Sequence, residues 1–367
     1  LPLIAYLAFF CGLMELLIIS GASGKLAQIL SPVFVKVFPS VPENHPSISY
    51  MTLNFAANFL GLDSAATPFG LKAMESLQEL NPEKDKASDA QIMFMCLHAS
   101  GLTLIATSII GYRAAANASN PADVMLPCII TSFIGTIAAF LIVGIKQKIN
   151  FKSASLVVSL MVLIAAIIGL LFYVNQLDLI GKNYFTSNLS ALILIAIIAF
   201  TLVFSFVKEK KFTEANTTVF ESFVVGANNG IKTGVVIFPY VLAMLVAISL
   251  FRNSGLFEII SNWIAFIFSN MGVNKEITDA LPVAMLRPFS SAGSRGFLID
   301  SMNTFGADSL TGRLSSIFQC SAESTFYVIA VYFGSVNIKN TRYALGTMLL
   351  VDVICVITAI FVASWFF

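Results

Sequence analysis

The sequence predicts an all-α integral membrane protein. Of its 367 residues, 57% are hydrophobic and only 11% are charged, whereas soluble domains have about 25% charged residues. Many of the apolar residues fall in runs of about 20, the length at which a helix crosses the hydrocarbon core of a bilayer. The net charge of +1 argues against binding of nucleic acid.

Eight segments are long and apolar enough to be transmembrane helices. Their approximate bounds are 3–20, 92–112, 123–144, 154–174, 188–207, 232–251, 313–334 and 343–366. Two shorter apolar stretches, 24–38 and 255–270, are each introduced by a Ser-Gly pair. We expect both to be amphipathic helices along the membrane interface; the alternative is a buried core helix.

Two semi-polar stretches, 46–78 and 278–305, are each interrupted by proline, glycine and small hydroxyl residues. The first break covers 61–68 and the second covers 287–296. Proline and glycine stop a helix, and small hydroxyl side chains can bond the backbone groups that are freed. Each stretch is therefore predicted to be a helix–turn–helix hairpin, which either re-enters on one side or crosses once as a broken helix.

The order span, interface helix, hairpin, span, span occurs twice along the chain. If both hairpins are re-entrant, an odd number of spans separates the two repeats and the second repeat is inverted; if the hairpins cross, the repeats are parallel. Under the re-entrant arrangement most loop lysines and arginines fall on one side, which is then cytoplasmic. Two inverted repeats are therefore predicted, with a first repeat at 1–147, connecting helices at 148–212 and a second repeat at 213–367.

Several motifs carry a resemblance to known families. Residues 38–46 (FPSVPENHP), 54–74 and 121–123 resemble the spore maturation A family. Residues 285–290, 319–335 and 339–343 resemble the spore maturation B family. The chain thus looks like a fusion of the two, matched over 1–145 and 215–367.

Both families are identified as members of the nucleoside recognition, or gate-domain, membrane proteins. These are similar to concentrative nucleoside transporters and to the membrane gate of ferrous iron transporters. The resemblance implies a multi-pass protein of the bacterial cytoplasmic (inner) membrane with a gate-like, transport-like fold, and it implies no particular substrate.

The second half holds the densest group of polar residues in apolar surroundings. An ionisable group at the centre of a membrane helix costs at least ~2.5 kcal/mol, so it needs a partner or water. The predicted binding residues of this half are Arg287, Ser290, Ser291, Ser294, Arg295, Gln319, Glu323, Ser324, Thr325 and Tyr327. They offer two guanidinium groups, an acid and several hydroxyls to a ligand that has an anionic group. The alternative is an internal ion pair of Arg287 or Arg295 with Glu323 that only fixes the hairpin.

The first half supplies a second, mostly neutral set. Its predicted binding residues are Asn54, Asn58, Asp63, Ser64, Thr67, His98, Ser100 and Thr103. The spacing of Ser100, Thr103 and Thr107 would place them on one face of a continuous helix, where they line a polar path. The alternative is hydrogen bonding between helices.

Metal and disulfide chemistry is not predicted. His98 has no clustered ligand partner, and the five cysteines lie in apolar runs without paired spacing, so they are expected to be buried hydrophobic residues.

These residues predict a secondary transporter, or channel-like carrier, of a small polar solute such as an amino acid, a short peptide or a nucleoside. No motif for a catalytic serine, a phosphate loop, zinc or a dinucleotide appears, so neither an enzyme nor a cofactor is predicted. A coupling ion, proton or sodium, is left open. The alternative is a non-transporting membrane protein that binds a lipid or an envelope partner and affects envelope or spore-core hydration. The expected partners are the bilayer and the solute, and small-residue faces are compatible with a homodimer.

Overall fold

The computed structural model describes residues 2–59, 63–104, 106–149, 179–232 and 274–367, with scattered positions at 161–177 and 235–255. The predicted spans 154–174 and 232–251 and the interface stretch 255–270 lie almost wholly outside these residues. The helices are α1 (Pro2–Ile19), α2 (Ala22–Val37), α3 (Pro46–Phe59), α4 (Asp63–Leu80), α5 (Asp89–Ala99), α6 (Thr107–Ala115), α7 (Met125–Lys146), α8 (Leu179–Val207), α9 (Glu209–Glu214), α10 (Lys275–Leu286), α11 (Ser291–Phe305), α12 (Leu310–Cys320), α13 (Thr325–Val328) and α14 (Ala344–Phe366). Residues 219–232 are also helical, and the described part of the chain has no β-strand.

Two of the described helices, α7 and α14, are each long and apolar enough to cross a membrane. They pack against one another, and Gly135 permits the close approach because a side chain there would overlap the sulfur of Cys355. Small residues at such contacts are typical of helix packing in lipid. Shorter apolar helical segments occur at Ala8–Ile19, Gln28–Val37 and Ile195–Val207.

The predictions of continuous spans at 92–112 and 313–334 are wrong. The first segment is interrupted between Ala99 and Thr107, and the second between Cys320 and Thr325. We call residues 100–106 the first break and residues 321–324 the second break. Gly101 has a φ of +67°, a left-handed conformation that ends a helix. After the second break the chain resumes as α13 and continues as a π-helix over Ile329–Phe333.

Both semi-polar stretches form helix–turn–helix hairpins, as their sequences predict. The first consists of α3 and α4, and the second consists of α10 and α11, which begins at Ser291. In each hairpin one polar side chain bonds the backbone of the opposite helix. Asn54 donates to the carbonyl of Ala66 at 2.7 Å, and Ser294 donates to the carbonyl of Val283 at 2.8 Å. These bonds tie the two helices of each hairpin to each other.

The two interrupted helices, α5–α6 and α12–α13, run antiparallel to each other. The chain entering α5 meets the chain leaving α13, where the Ala87 amide donates to the Asn340 carbonyl at 2.9 Å. The chain leaving α6 meets the chain entering α12, where the Ser119 amide donates to Asp308 at 2.8 Å. Since the start of each lies beside the end of the other, the two breaks come together in the middle.

Candidate functional site

A polar cavity of about 250 Å³ lies where the two breaks meet. Its lining combines the two hairpins with both interrupted helices. The lining residues are Asn58, Ala66, Thr67, His98, Gly101, Leu102, Thr103, Ala106, Thr107, Ser108, Ile109, Tyr112, Arg287, Ser291, Arg295, Gln319, Cys320, Glu323, Tyr327, Val328 and Tyr332. We call this space the central cavity.

Backbone groups freed by the breaks are satisfied by distant parts of the chain. The Glu323 amide donates to the Ala99 carbonyl at 2.9 Å, which ties the second break to the first. The Leu104 amide donates to the Phe59 carbonyl at 2.7 Å and so ties the first break to the first hairpin. The Phe326 amide makes the equivalent bond to Pro288, at 3.1 Å. Irregular backbone is tolerated at membrane depth when it is bonded in this way or lines a cavity.

Three neighbouring side chains fix the position of Arg287. The side chain, only 10% exposed, donates to Ser291 at 2.8 Å and to Ser324 at 3.4 Å, and its guanidinium lies 3.7 Å from Glu323. The Nε atom of Arg287 is buried and has no hydrogen-bond partner among the described residues. The internal ion pair expected as the alternative is therefore present, but it is long and leaves one donor of Arg287 unused.

Arg295 is the cation of the central cavity that has no ion-pair partner among the described residues. Its guanidinium lies over the ring of Tyr112, 5.7 Å from the centroid. Among the residues that the structure describes, it forms no ion pair. Glu323 is the one carboxylate among the described lining residues, and it already faces Arg287. The described wall of the cavity therefore has an excess of positive charge.

His98 is held by two asparagines of the first hairpin. Asn54 uses its amide nitrogen for Ala66, so its oxygen faces Nδ1 of His98 at 3.0 Å. An amide oxygen only accepts, so Nδ1 carries the hydrogen and Nε2 of the neutral ring is left as an acceptor. The Asn58 amide nitrogen lies 2.9 Å from the same Nδ1, and this amide can accept from the Nδ1 hydrogen only when it is turned so that its oxygen faces the ring.

Two tyrosines that sequence reasoning missed complete the lining. Tyr332 lies in the π-helix, 2% exposed, with its ring centroid 4.8 Å from that of His98. It reaches this position past Gly70, where a Cβ would lie 2.5 Å from the tyrosine ring. The second is Tyr112, whose ring contacts the guanidinium of Arg295 as described above. A π-helix is the structural signal here, because such turns are common at functional sites, but no sequence pattern indicates it.

Ten of the predicted site residues line the central cavity. They are Asn58, Thr67, His98, Thr103, Arg287, Ser291, Arg295, Gln319, Glu323 and Tyr327. Gln319 also lies beside the second hairpin, since one end of its amide is 2.6 Å from the Ser294 hydroxyl.

The remaining predicted residues lie behind the lining or outside the described side chains. Asn54, Ser294 and Ser324 each hold a lining residue, as given above. Thr325 donates to Asp352 of α14 at 2.7 Å, and Ser290 accepts from the Gly293 amide as the N-cap of α11. Asp63 and Ser64 begin α4, but their side chains lie outside the described part of the structure.

Ser100 and Thr103 do not share a helix face with Thr107. Both residues lie in the first break, because the helix ends before Gly101. Ser100 donates to the Leu97 carbonyl at 2.6 Å and contacts Thr136 at 2.8 Å. It is not bonded to His98, so these two residues are not arranged as a nucleophile and its base.

A group of four charges, with the buried pair Arg113–Asp123 at its centre, joins the two halves at one end of the interrupted helices. Arg113 bonds Asp123 at 2.7 Å and Asp308 at 3.2 Å, and Arg313 bonds Asp123 at 2.9 Å. We call these four residues the buried ion cluster. Partial burial raises the pKa of Asp308, but the hydrogen bonds from Ser119 and the charges of the two arginines outweigh it, so this pKa lies below its ordinary value.

An exposed pair joins the halves at the opposite end. Arg342 bonds Asp89 at 2.6 Å, and their side chains are 32% and 48% exposed. Neither this pair nor the buried ion cluster was predicted, because their residues lie near the ends of predicted spans and were interpreted as loop charges.

Comparison with known proteins identifies a family that matches most of the chain and two relatives that each match part of it. The chain matches the Gate family, described as nucleoside recognition, over residues 1–210 and 235–339. It is 40% identical to spore maturation protein B of Bacillus subtilis (strain 168) over 148 residues, which are 40% of this chain and 82% of that protein. It is 38% identical to spore maturation protein A of the same organism over 140 residues, which are 38% of this chain and 71% of that protein. No solved structure matches.

Proposed function

This chain belongs to the Gate family of nucleoside recognition proteins, a membrane-protein family, and from that membership and its central cavity we propose that it carries a small polar solute across the bacterial cytoplasmic membrane. The solute binds in the central cavity, between the two hairpins. The chain acts as a carrier and not as an enzyme.

The observation that supports this proposal most is the positive charge of Arg295, for which the described residues supply no ion-pair partner. A cation without an ion-pair partner in membrane surroundings is costly, and such groups commonly mark a solute pathway. A ligand with a carboxylate or another anionic group would neutralise Arg295 and receive a further bond from Arg287 Nε. Glu323, which lies beside Arg287, and His98 Nε2 are acceptors for an ammonium group. A zwitterion, such as an amino acid or a short peptide, therefore fits better than a neutral nucleoside.

The antiparallel arrangement of the interrupted helices supports a pair of inverted repeats. Each hairpin precedes an interrupted helix and then a long apolar helix, in the order α3–α4, α5–α6, α7 and again α10–α11, α12–α13, α14. Secondary transporters with inverted repeats bind solute and coupling ion at discontinuous helices near the midplane. The proposed mechanism is movement of one half against the other, so that the central cavity opens to either side in turn. The coupling ion of this carrier, proton or sodium, is left open.

Exposure of the cavity wall favours a carrier over a non-transporting protein with a sealed polar core. Glu323 is 38% exposed and Tyr327 is 59% exposed, so the described lining reaches the surface. A sealed cavity would instead favour a role in binding a lipid or an envelope protein.

The proposal is tested by thermal unfolding of the purified protein in detergent with amino acids, dipeptides, dicarboxylates and nucleosides. A ligand that binds only the folded state raises the melting temperature by an amount that depends on its concentration and affinity. We expect the largest rise with a zwitterionic compound and its loss in Arg295→Gln. Arg342→Gln is the matched control, since it also removes one arginine but lies outside the central cavity.

Uptake of the same radiolabelled compound into proteoliposomes then separates binding from transport. Accumulation that is lost in Arg295→Gln and kept in Arg342→Gln would support the carrier. Binding without uptake, under proton and sodium gradients of either direction, would overturn transport and leave a binding protein. No stabilisation of correctly folded protein by any compound would overturn the proposed site.

A further inference from the structure

A second, apolar groove of about 350 Å³ lies on the other side of the first break. Leu17 and Ile29 line it from α1 and α2, Phe200 and Phe204 from α8, and Leu104 from the first break. It is separated from the central cavity by the break itself, since the neighbouring Leu102 and Thr103 face that cavity. We call this space the lateral groove.

Few polar groups line the lateral groove. Thr201 donates to the Ile197 carbonyl within α8 at 2.8 Å, so its hydroxyl is already used. Lys25 lies at the rim, exposed, with its ammonium 5.3 Å from the centre of the Phe204 ring. Ile29, also on the rim, is 72% exposed, and exposed apolar residues continue along α8. The groove therefore opens along an apolar face.

A second lysine lies at the same corner. Gly21, with a φ of +77°, forms the turn between α1 and α2, and the ammonium of Lys211 from α9 lies directly against it. Neither Lys25 nor Lys211 forms an ion pair with any carboxylate in the described residues, which include Glu209 and Glu214 of α9. Two cations without acidic partners thus lie beside the mouth of the groove.

From this arrangement we propose that the lateral groove binds an anionic phospholipid. One acyl chain lies against Phe200, Phe204 and Leu104, and the phosphate contacts Lys25 and Lys211. An apolar groove with a basic rim matches both parts of such a lipid, since lysines near a membrane surface attract anionic headgroups. Because the acyl chain touches the first break, binding of the lipid stiffens the segment that lines the central cavity. This inference is independent of the solute proposed above.

The test is thermal unfolding in detergent with dioleoyl phosphatidylglycerol, dioleoyl phosphatidylcholine and glycerol phosphate, each over a concentration series. We expect phosphatidylglycerol alone to raise the melting temperature by several degrees. Lys25→Gln/Lys211→Gln removes the charges and Ile29→Trp fills the rim, and each should weaken the apparent affinity about tenfold or more. Lys339→Gln, a lysine outside the groove, is the matched control and should behave as the parent chain.

Three results of the thermal unfolding experiment would overturn the inference. Equal stabilisation by both phospholipids would mean that no anionic headgroup is recognised. Equal stabilisation by glycerol phosphate would mean that the lysines bind phosphate without an acyl chain. A response to phosphatidylglycerol that survives both variants would place the lipid elsewhere. Light scattering on the same samples tests whether a second copy of the chain, and not a lipid, fills the groove. A molecular mass that changes in Ile29→Trp would show a second copy and would also overturn the inference.

Discussion

Replacing Arg113 by methionine should destabilise the protein more than replacing any exposed arginine. The Arg113 side chain is wholly buried and donates five hydrogen bonds. Methionine fills much of the same volume but leaves Asp123, 2% exposed, with Arg313 as its remaining cation. Breaking a buried ion pair by removing one partner costs about 3–5 kcal/mol. The matched control is Arg342→Met, whose exposed pair with Asp89 contributes about 0–1 kcal/mol.

The cysteines provide the assay. Cys96, Cys128 and Cys355 are buried and free, so a thiol-reactive fluorophore reports unfolding in detergent. For domains of moderate size, 1 kcal/mol lowers the melting temperature by about 2–4 °C, and the shift falls as size increases. We therefore expect a decrease of about 5–10 °C for Arg113→Met and less than about 2 °C for Arg342→Met.

A double variant distinguishes a buried ion pair from a packing defect. Arg113→Met/Asp123→Leu removes both charges, and replacing a buried pair by apolar residues is often neutral. The double variant should therefore be more stable than the sum of the two single losses predicts, by about 1–3 kcal/mol. Equal shifts for Arg113→Met and Arg342→Met, or strictly additive losses in the double variant, would refute the reasoning.

Three further predictions concern the cavity wall and the buried ion cluster. Gly70→Ala places a methyl group 2.5 Å from the Tyr332 ring and should weaken ligand binding in thermal-shift titrations, whereas Gly346→Ala, which meets no described atom within 4 Å, should not; equal affinities would contradict the role of Tyr332. Gly101→Ala must adopt a φ of +67° and should lower the melting temperature by several degrees in the thiol assay. The Asp308 pKa is depressed in the folded state, so its contribution is lost as pH falls through that pKa; melting below about pH 4 should decline more steeply in the parent chain than in Asp308→Asn, and parallel pH curves would exclude this contribution.

The positions of most described helices follow from the sequence, because hydrophobic length and helix-stopping residues are local signals. The ends of α7 and α14 and the turns of both hairpins agree with the predictions within a few residues. The two breaks were missed because only Gly101, in the first break, is a local signal. The bonds that hold both breaks come from distant parts of the chain, and the bond between Ala99 and Glu323 joins residues more than 200 positions apart.

The candidate site, like the fold, could be predicted from the sequence only in part. Residue type alone identified the polar residues of both halves, because such groups are rare in apolar segments. Sequence could not show which of them face the cavity and which hold another residue in place. Asn54 and Ser294, for example, bond the backbone and orient His98 and Gln319. Tyr332 was not predicted as a site residue, because a tyrosine in an apolar run is usually an ordinary packing residue.

The two linkages between the halves are unequal, and this bears on how a carrier of this shape would open. Movement that separates α5–α6 from α12–α13 at one end must break either the buried ion cluster or the pair Asp89–Arg342. Separating the cluster exposes Arg113, which is now fully buried, and breaks its bonds to Asp123 and Asp308. Separating the exposed pair itself costs about 1 kcal/mol or less, because water already reaches both side chains, but the backbone bonds of Asp85 and Ala87 to residues 339–340 break with it. In a carrier of this shape, the Asp89–Arg342 ion pair would therefore resist separation less than the buried ion cluster at the opposite end.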